Sequence, residues 1–342
     1  MSGWLFSRRV DLGVFLAPAL VSLALVAVAE KVGLRESPEW SWITAVLLVD
    51  VAHVWATGFR VYLDPDEIRR RPARYVLIPI AAFAVGVLLY SQGDMVFWRA
   101  LAYVAVFHFV RQQAGWVLLY RARAGERGRL GRFLDLAAVY AATLYPLLWW
   151  HAHLPRRFSW FLVGDFAGLP PFLATIAAPI WAALLLVYVA RAAVRYARRR
   201  GTPGKDIVVV TTAACWYAGI VATNSDFAFT VTNVLIHGIP YFALVYWYGR
   251  RRAGVEEGRG VWRLFARGPA PMLATLWAAA FIEELLWDKA IWHDRAWLFG
   301  ASFDLGDLRV VVVPLLALPQ LTHYILDGFI WRRRDNPRFD LV

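Results

Sequence analysis

Four histidines stand inside long apolar stretches of the sequence, where a titratable ring is costly to bury. They are His53 in VAHVWATGF, His108 in VFHFVRQQAG, His237 in VLIHGIPYF and His323 in LTHYILDGF. Neutral imidazole is a ligand for iron, zinc and copper. A nitrogen ligand set that leaves coordination positions open suits redox chemistry on oxygen better than a closed structural site does. The pattern therefore predicts a metal centre that could hold iron, zinc or copper.

Each of these histidines has polar neighbours three or four residues away. The neighbours are Asp50, Gln112, Asn233, Tyr241 and Asp327. On a helix such spacings put two side chains on one face. Because a metal-bound imidazole commonly donates its other N–H to a carboxylate or carbonyl, Asp50 and Asp327 are predicted to hold the rings of His53 and His323. Tyr241, four residues after His237, is predicted to face the same cavity as that histidine.

Other interpretations of the same residues stay open. The four rings could be separate polar groups, each satisfied by hydrogen bonds between helices. They could ligate haem axially, as one or two haems. They could also form a proton relay of a transporter or channel, together with Glu283, Glu284 and Arg111. The remaining histidines, His151, His153 and His293, fall near segment ends, where an interfacial position is expected.

Ten apolar segments must position these side chains. They cover about residues 11–29, 39–63, 74–92, 96–120, 133–150, 172–194, 206–222, 226–248, 270–287 and 308–331. Each is roughly long enough to cross a bilayer as a helix, for which about 20 residues are needed. The chain is 60% hydrophobic and has one cysteine, so neither a disulfide nor a thiolate metal site can form within it. The expected fold is all-α: a polytopic membrane bundle of about ten transmembrane helices, forming one domain over residues 1–342.

The distribution of basic residues predicts how the segments are oriented. Arginines crowd the connections after the second, fourth, sixth, eighth and tenth segments, and the other connections are nearly free of them. This positive-inside pattern predicts cytoplasmic termini and an integral protein of the bacterial inner membrane. It also accounts for most of the net charge of +12 without a nucleic-acid partner. On this topology all four histidines lie near the bilayer middle, roughly 17–23 Å from the outer surface at ~1.5 Å per residue.

The histidine-bearing segments and their order resemble the Brp/Blh-type β-carotene 15,15'-dioxygenases, membrane proteins that hold a non-haem iron with histidines and cleave β-carotene to retinal. The resemblance implies that His53, His108 and His237 are iron ligands. Where that family has a further histidine one turn after the third, this chain has Tyr241. His323, followed by Asp327, resembles a histidine–aspartate pair in the family's final helix.

The resemblance also implies a reaction and its partners. The expected function is oxidation or cleavage, by O2, of a lipophilic substrate such as a carotenoid or another isoprenoid. The substrate would enter from the membrane lipids, so no water-filled pore is needed. Within this scheme Asp50, Asp327 and Tyr241 are expected to serve the site beside its ligands.

Overall fold

The computed structural model describes residues 3–255 and 260–332, and within these ranges it contains helices and turns but no strand. The all-α fold predicted from the sequence is therefore confirmed. Of the basic residues used to predict the topology, Arg259, Arg333, Arg334 and Arg338 lie outside the described residues.

Eleven helices organise the described chain. They are α1 (Arg8–Val32), α2 (Glu39–Arg60), α3 (Pro65–Arg70), α4 (Pro72–Ser91), α5 (Asp94–Arg123), α6 (Arg129–Ala152), α7 (Phe172–Ala197), α8 (Pro203–Ala222), α9 (Asp226–Val255), α10 (Pro269–Trp292) and α11 (Gly306–Ile330). Four contain a stretch of wider, π-helical turns, and the longest of these, Trp42–Val51 in α2, ends just before His53. Such stretches often accompany functional sites, because they shift side chains away from regular helical spacing.

All ten predicted segments are helical. Nine helices of the described chain are also long and apolar enough to cross a membrane, which makes this an integral membrane protein. The one predicted segment that is not among these nine helices is the fourth, which corresponds to α5, a helix of 30 residues. Its interior carries Arg99, His108, Arg111 and two glutamines, and these side chains make it more polar than the others.

Local signals explain several helix ends. The hydroxyl of Ser7 accepts a hydrogen bond from the Val10 amide at 3.2 Å, which caps α1. At its other end Gly33 has φ +71°, a left-handed conformation that costs glycine little. Helices α4, α8 and α10 each begin with proline, which is well suited to the first turn because it has no N–H to satisfy.

The chain forms two compact units, one of Met1–Ala45 with Val106–Pro240 and the other of Val46–Ala105 with Tyr241–Val342. Whether they act as the single domain predicted from the sequence stays a prediction. In the first unit, Val26 and Ala29 of α1 pack against Phe227, Ala228 and Val231 of α9. In the second, Val61 and Tyr75 pack against Leu326 and Ile330 of α11. Each unit thus has an apolar core of its own.

A buried ion cluster joins four helices of the first unit. The fully buried carboxylate of Asp135 on α6 accepts hydrogen bonds from Arg121 of α5, from Arg191 of α7 at 2.5 Å and from Lys205 of α8 at 3.0 Å. Lys205 is itself only 1% exposed and also donates to Glu126 at 2.9 Å. Because every buried charge has an opposite partner, the cluster sets the positions of these helices without leaving an uncompensated ion.

The second unit holds a comparable buried charge. Arg60, at the end of α2, is fully buried and lies 3.1 Å from a carboxylate oxygen of Glu67. It also donates to the carbonyl oxygen of Ile330 at 3.1 Å and lies over the ring of Tyr248. These contacts tie the end of α2, which carries His53, to α3, α9 and α11.

Candidate metal centre

His53 and His323 form a buried pair in the second unit. Each is 1% exposed, and their ring centroids are 4.9 Å apart with the planes nearly perpendicular. One ligand atom of each ring lies within 4.8 Å of the other. The rings come from α2 and α11, which are far apart in sequence and meet in the core of this unit. Two imidazoles at this separation could bind one ion between them.

A backbone carbonyl orients the His53 ring. The Nδ1–H of His53 donates to the carbonyl oxygen of Asp50. Because a carbonyl only accepts, this contact places the proton on Nδ1 and the lone pair on Nε2, the arrangement usual for a metal-bound histidine. The Asp50 carboxylate, which the sequence suggested for this role, has Oδ1 at 3.7 Å from Nδ1, too long for a hydrogen bond. The main chain of Asp50 therefore holds the ring.

Thr57 orients the His323 ring and was missed in the sequence. Its hydroxyl lies 2.7 Å from Nδ1 of His323 and 3.4 Å from the hydroxyl of Tyr241, and the residue is buried. The signal was present, because Thr57 follows His53 by four residues and so lies on the same helix face. What the spacing could not show is that its partner is a histidine of another helix.

Tyr241 lies beside the His53–His323 pair. It is 1% exposed and meets both imidazoles edge-on, with centroid distances of 5.8 Å and 5.3 Å. The indole N–H of Trp331 donates to its hydroxyl at 3.3 Å. Tyr241 thus lies at a histidine pair, and its role in the site stays a prediction. The expectation that it shares a cavity with His237 stays a prediction.

Asp327 is linked to this site through aromatic side chains. Its carboxylate is hydrogen-bonded by the Tyr241 hydroxyl and by the Trp331 indole. The partner expected from the sequence was the His323 ring or an arginine. Trp331, which the sequence did not single out, therefore belongs to the surroundings of the site, where it anchors both the carboxylate and the tyrosine.

His108 and His237 form a second buried pair, in the first unit. They are 3% and 0% exposed, and their ring centroids are 5.1 Å apart at 84°. Phe109 stacks on the His237 ring at 3.6 Å, almost parallel to it. Stacking covers a face of the imidazole, while a metal bond forms in the plane of the ring. The contact therefore orients His237 without competing for its nitrogen lone pair.

The polar neighbours of this second pair hold the main chain rather than the rings. Gln112 donates from Nε2 to the carbonyl oxygen of His237 at 2.8 Å. Asn233 donates to the carbonyl oxygen of Phe229 at 2.9 Å, inside its own helix. Both side chains stabilise the helix that carries His237.

The other candidate groups have separate partners. Glu283 is 4% exposed and accepts a hydrogen bond from the Trp55 indole at 2.6 Å, and Glu284 is buried as well. Arg111 is exposed and donates to the hydroxyl of Tyr140.

The paired histidines differ from those near the segment ends. His151 and His153 each contact a carbonyl oxygen four residues earlier in α6, at 2.6 Å and 2.8 Å. This is an ordinary arrangement for a ring on a helix. It also occurs at His53, so the ring-to-carbonyl contact does not by itself mark a ligand. The evidence for a metal centre is the burial and mutual approach of the paired rings.

Compared with family models, with curated proteins and with solved structures, the chain matches none of them, so the resemblance to the Brp/Blh-type dioxygenases rests on the quoted segments alone.

Proposed function

We propose that this protein is a membrane-embedded oxygenase in which histidines hold a non-haem iron and which oxidises or cleaves a lipophilic substrate with O2. The observation that carries the proposal is the buried His53–His323 pair, with ligand atoms within 4.8 Å and one ring oriented by a backbone carbonyl. The choice of iron, O2 and a carotenoid or other isoprenoid comes from the resemblance of the histidine-bearing segments. His108 and His237 form the other buried pair and are proposed as ligands with them.

The surroundings of the His53–His323 pair fit a metal ion. The proton on Nδ1 of His53 is bound by a carbonyl, so the nitrogen left to bind a cation is Nε2. The hydroxyl of Thr57 forms a hydrogen bond with Nδ1 of His323 and so holds that ring in place. Tyr241 covers the edges of both rings and, with Trp331, keeps the Asp327 carboxylate close to the site. A site of this kind offers neutral nitrogen ligands and a nearby acid in a setting that excludes water.

Each part of this chain has a defined task in the proposed reaction. Iron bound by imidazoles supplies the redox chemistry that activates O2. The helices supply rigid ligand positions, because Asp50 and Thr57 fix the ring orientations from α2. The apolar helices admit the substrate from the bilayer. Tyr241 is buried and packs edge-on against the partly buried Trp331, and in this proposal the two aromatic side chains orient an extended apolar molecule near the histidines.

Elemental analysis of the purified protein, combined with a visible spectrum, tests the proposal. We expect bound iron, no Soret band, and O2 uptake with formation of retinal when β-carotene is supplied in detergent micelles. A Soret band would assign the histidines to haem. Absence of any metal, with no O2 uptake, would leave the proton-relay interpretation and overturn the oxygenase. The number of ions per chain also shows whether the two histidine pairs bind one ion or one each.

The membrane orientation is part of the same proposal. We infer an inner-membrane protein with cytoplasmic termini, because connections with three or more basic residues alternate with connections that carry no more than two. Reporter fusions at Arg123 and at Ser91 should therefore report opposite sides of the membrane. Both reporters on one side would contradict the alternating topology without bearing on the metal content.

A further inference from the structure

A basic cavity lies at the end of α7 in the first unit. It has a volume of about 680 Å³ and lies among the α5–α6 turn, the last turns of α7 and the α7–α8 connection. Its charged lining consists of Glu126 and of Arg191, Arg195, Arg198, Arg199 and Arg200. Five arginines around one carboxylate make this a strongly positive concave surface, and nothing in the proposed oxygenase reaction uses it.

Two of the five arginines are committed to carboxylates. Arg191 donates to Asp135 at 2.5 Å, and Arg195 donates to Glu126 at 2.5 Å. Burial favours the neutral form of Glu126, but hydrogen bonds from Arg195, Thr202 and Lys205 outweigh it and lower the pKa of this carboxyl from 4.5 to about 2. Glu126 is therefore ionised at neutral pH and binds Arg195 at the cavity wall, in addition to Arg121 and Lys205.

The other three arginines have no carboxylate partner within the described part of the chain. Arg198, Arg199 and Arg200 are exposed and form no ion pair there. Arg199 has φ +55°, so the chain turns sharply here, and all three arginines line the cavity. The Arg200 carbonyl accepts hydrogen bonds from Arg195, which fixes this turn against α7. Three guanidinium groups on one turn beside a cavity can bind an anion with several oxygen atoms.

The wall beside the arginines is apolar and faces outward. Only 11% of an 18-residue apolar stretch of α7 is buried. Leu186, Val189 and Val194 are 68%, 56% and 50% exposed. Val194 also lines the cavity, and Tyr196 next to it is 48% exposed. A ligand bound here therefore has its charged group among guanidiniums and its remainder along a surface suited to hydrocarbon.

We propose that this cavity binds the phosphate group of an anionic phospholipid, whose acyl chains lie along α7. Guanidinium is the cation that matches phosphate oxygens in a bidentate manner. A free phosphate ion would satisfy the arginines equally well, but it would make no use of the exposed apolar face that is continuous with the cavity. Basic clusters at the end of a transmembrane helix attract anionic headgroups by about 1 kcal/mol per cation, a factor of about five each.

The experiment compares two triple variants with equal charge changes. R198Q/R199Q/R200Q removes the uncommitted arginines, and R123Q/R127Q/R129Q removes three exposed arginines of the same unit that do not line the cavity. Each protein is incorporated into vesicles of phosphatidylcholine and phosphatidylglycerol in equal parts, then purified in detergent. The phosphatidylglycerol that stays with the protein is measured by mass spectrometry. We expect the first variant to retain at least about tenfold less than wild type, since three arginines at about fivefold each allow a loss of up to about a hundredfold. The second variant should retain as much as wild type.

Three outcomes would overturn the proposal. Equal losses in both variants would show a general effect of net charge, and equal retention in all three proteins would show that the cavity binds no lipid. The third uses inorganic phosphate alone, added to protein in pure phosphatidylcholine vesicles. If it raises the melting temperature of wild type but not of R198Q/R199Q/R200Q, the ligand is free phosphate rather than a lipid. Because the substituted side chains are exposed, unchanged melting temperatures without anion will show that both variants are folded.

Discussion

Replacing His323 with alanine should remove at least about nine-tenths of the bound metal, because it deletes one of two imidazoles whose ligand atoms lie within 4.8 Å of each other. The oxygen uptake expected with β-carotene should fall in parallel.

Thr57→Val keeps the ligand but removes the hydroxyl that orients its ring, so metal affinity should fall by about 10–100-fold. Asp327→Asn should have a smaller effect than Thr57→Val, because the known partners of this carboxylate are Tyr241 and Trp331.

The matched control is His153→Ala. The His153 ring, which follows the last residue of α6, hydrogen-bonds to the Trp149 carbonyl and stacks on the Trp149 ring, so it belongs to neither buried pair. The substitution should leave the metal content unchanged, as measured by elemental analysis of protein that elutes as a folded species. A His323→Ala protein with full metal content would exclude His323 as a ligand and leave His53, His108 and His237 as candidates.

The helices were predictable from the sequence because the signal lies within each segment. A continuous apolar run identifies a membrane-spanning helix whatever its neighbours are, and all ten predicted segments proved helical. The polarity of α5 shows the limit of that argument. His108, Arg111 and Gln112 make the helix less apolar than the others, although its 30 residues could still cross a bilayer.

The candidate site was predictable only where its contacts follow helical spacing. Asp50 was found because it precedes His53 by three residues, but spacing alone could not decide between its carboxylate and its carbonyl. Thr57 was within reach of the same rule. The contact of Trp331 with Tyr241 joins different helices, and no periodicity within one segment can reveal it.

The ion cluster of the first unit was missed for a similar reason. Lys205 stands in a basic stretch between two predicted segments, yet it is 1% exposed. Its burial depends on Asp135, which lies 70 residues earlier in another helix. A sequence pattern indicates charge, but only the packed structure shows which charges have left water.

Asp135→Asn should destabilise the protein by about 3–5 kcal/mol, the effect expected when one partner of a buried ion pair is removed. The substitution leaves Arg121 and Lys205, both almost fully buried, with Glu126 as their remaining carboxylate partner, and it takes the Asp135 carboxylate from Arg191. Asparagine fills nearly the same volume, so the loss reports charge and not a cavity. The measurement is unfolding in detergent, followed by tryptophan fluorescence against temperature and denaturant.

Two further variants separate charge pairing from other causes. Asp304→Asn removes a carboxylate that is 78% exposed and bound to Arg309, so it should leave the unfolding temperature unchanged. Asp135→Leu combined with Lys205→Met replaces two opposite buried charges with apolar side chains. It should recover part of the stability lost in Asp135→Asn, because it removes one of the stranded cations along with the anion. If Asp135→Asn unfolds at the wild-type temperature, the cluster contributes no net stability, and the positions of α5 to α8 must depend on apolar packing alone.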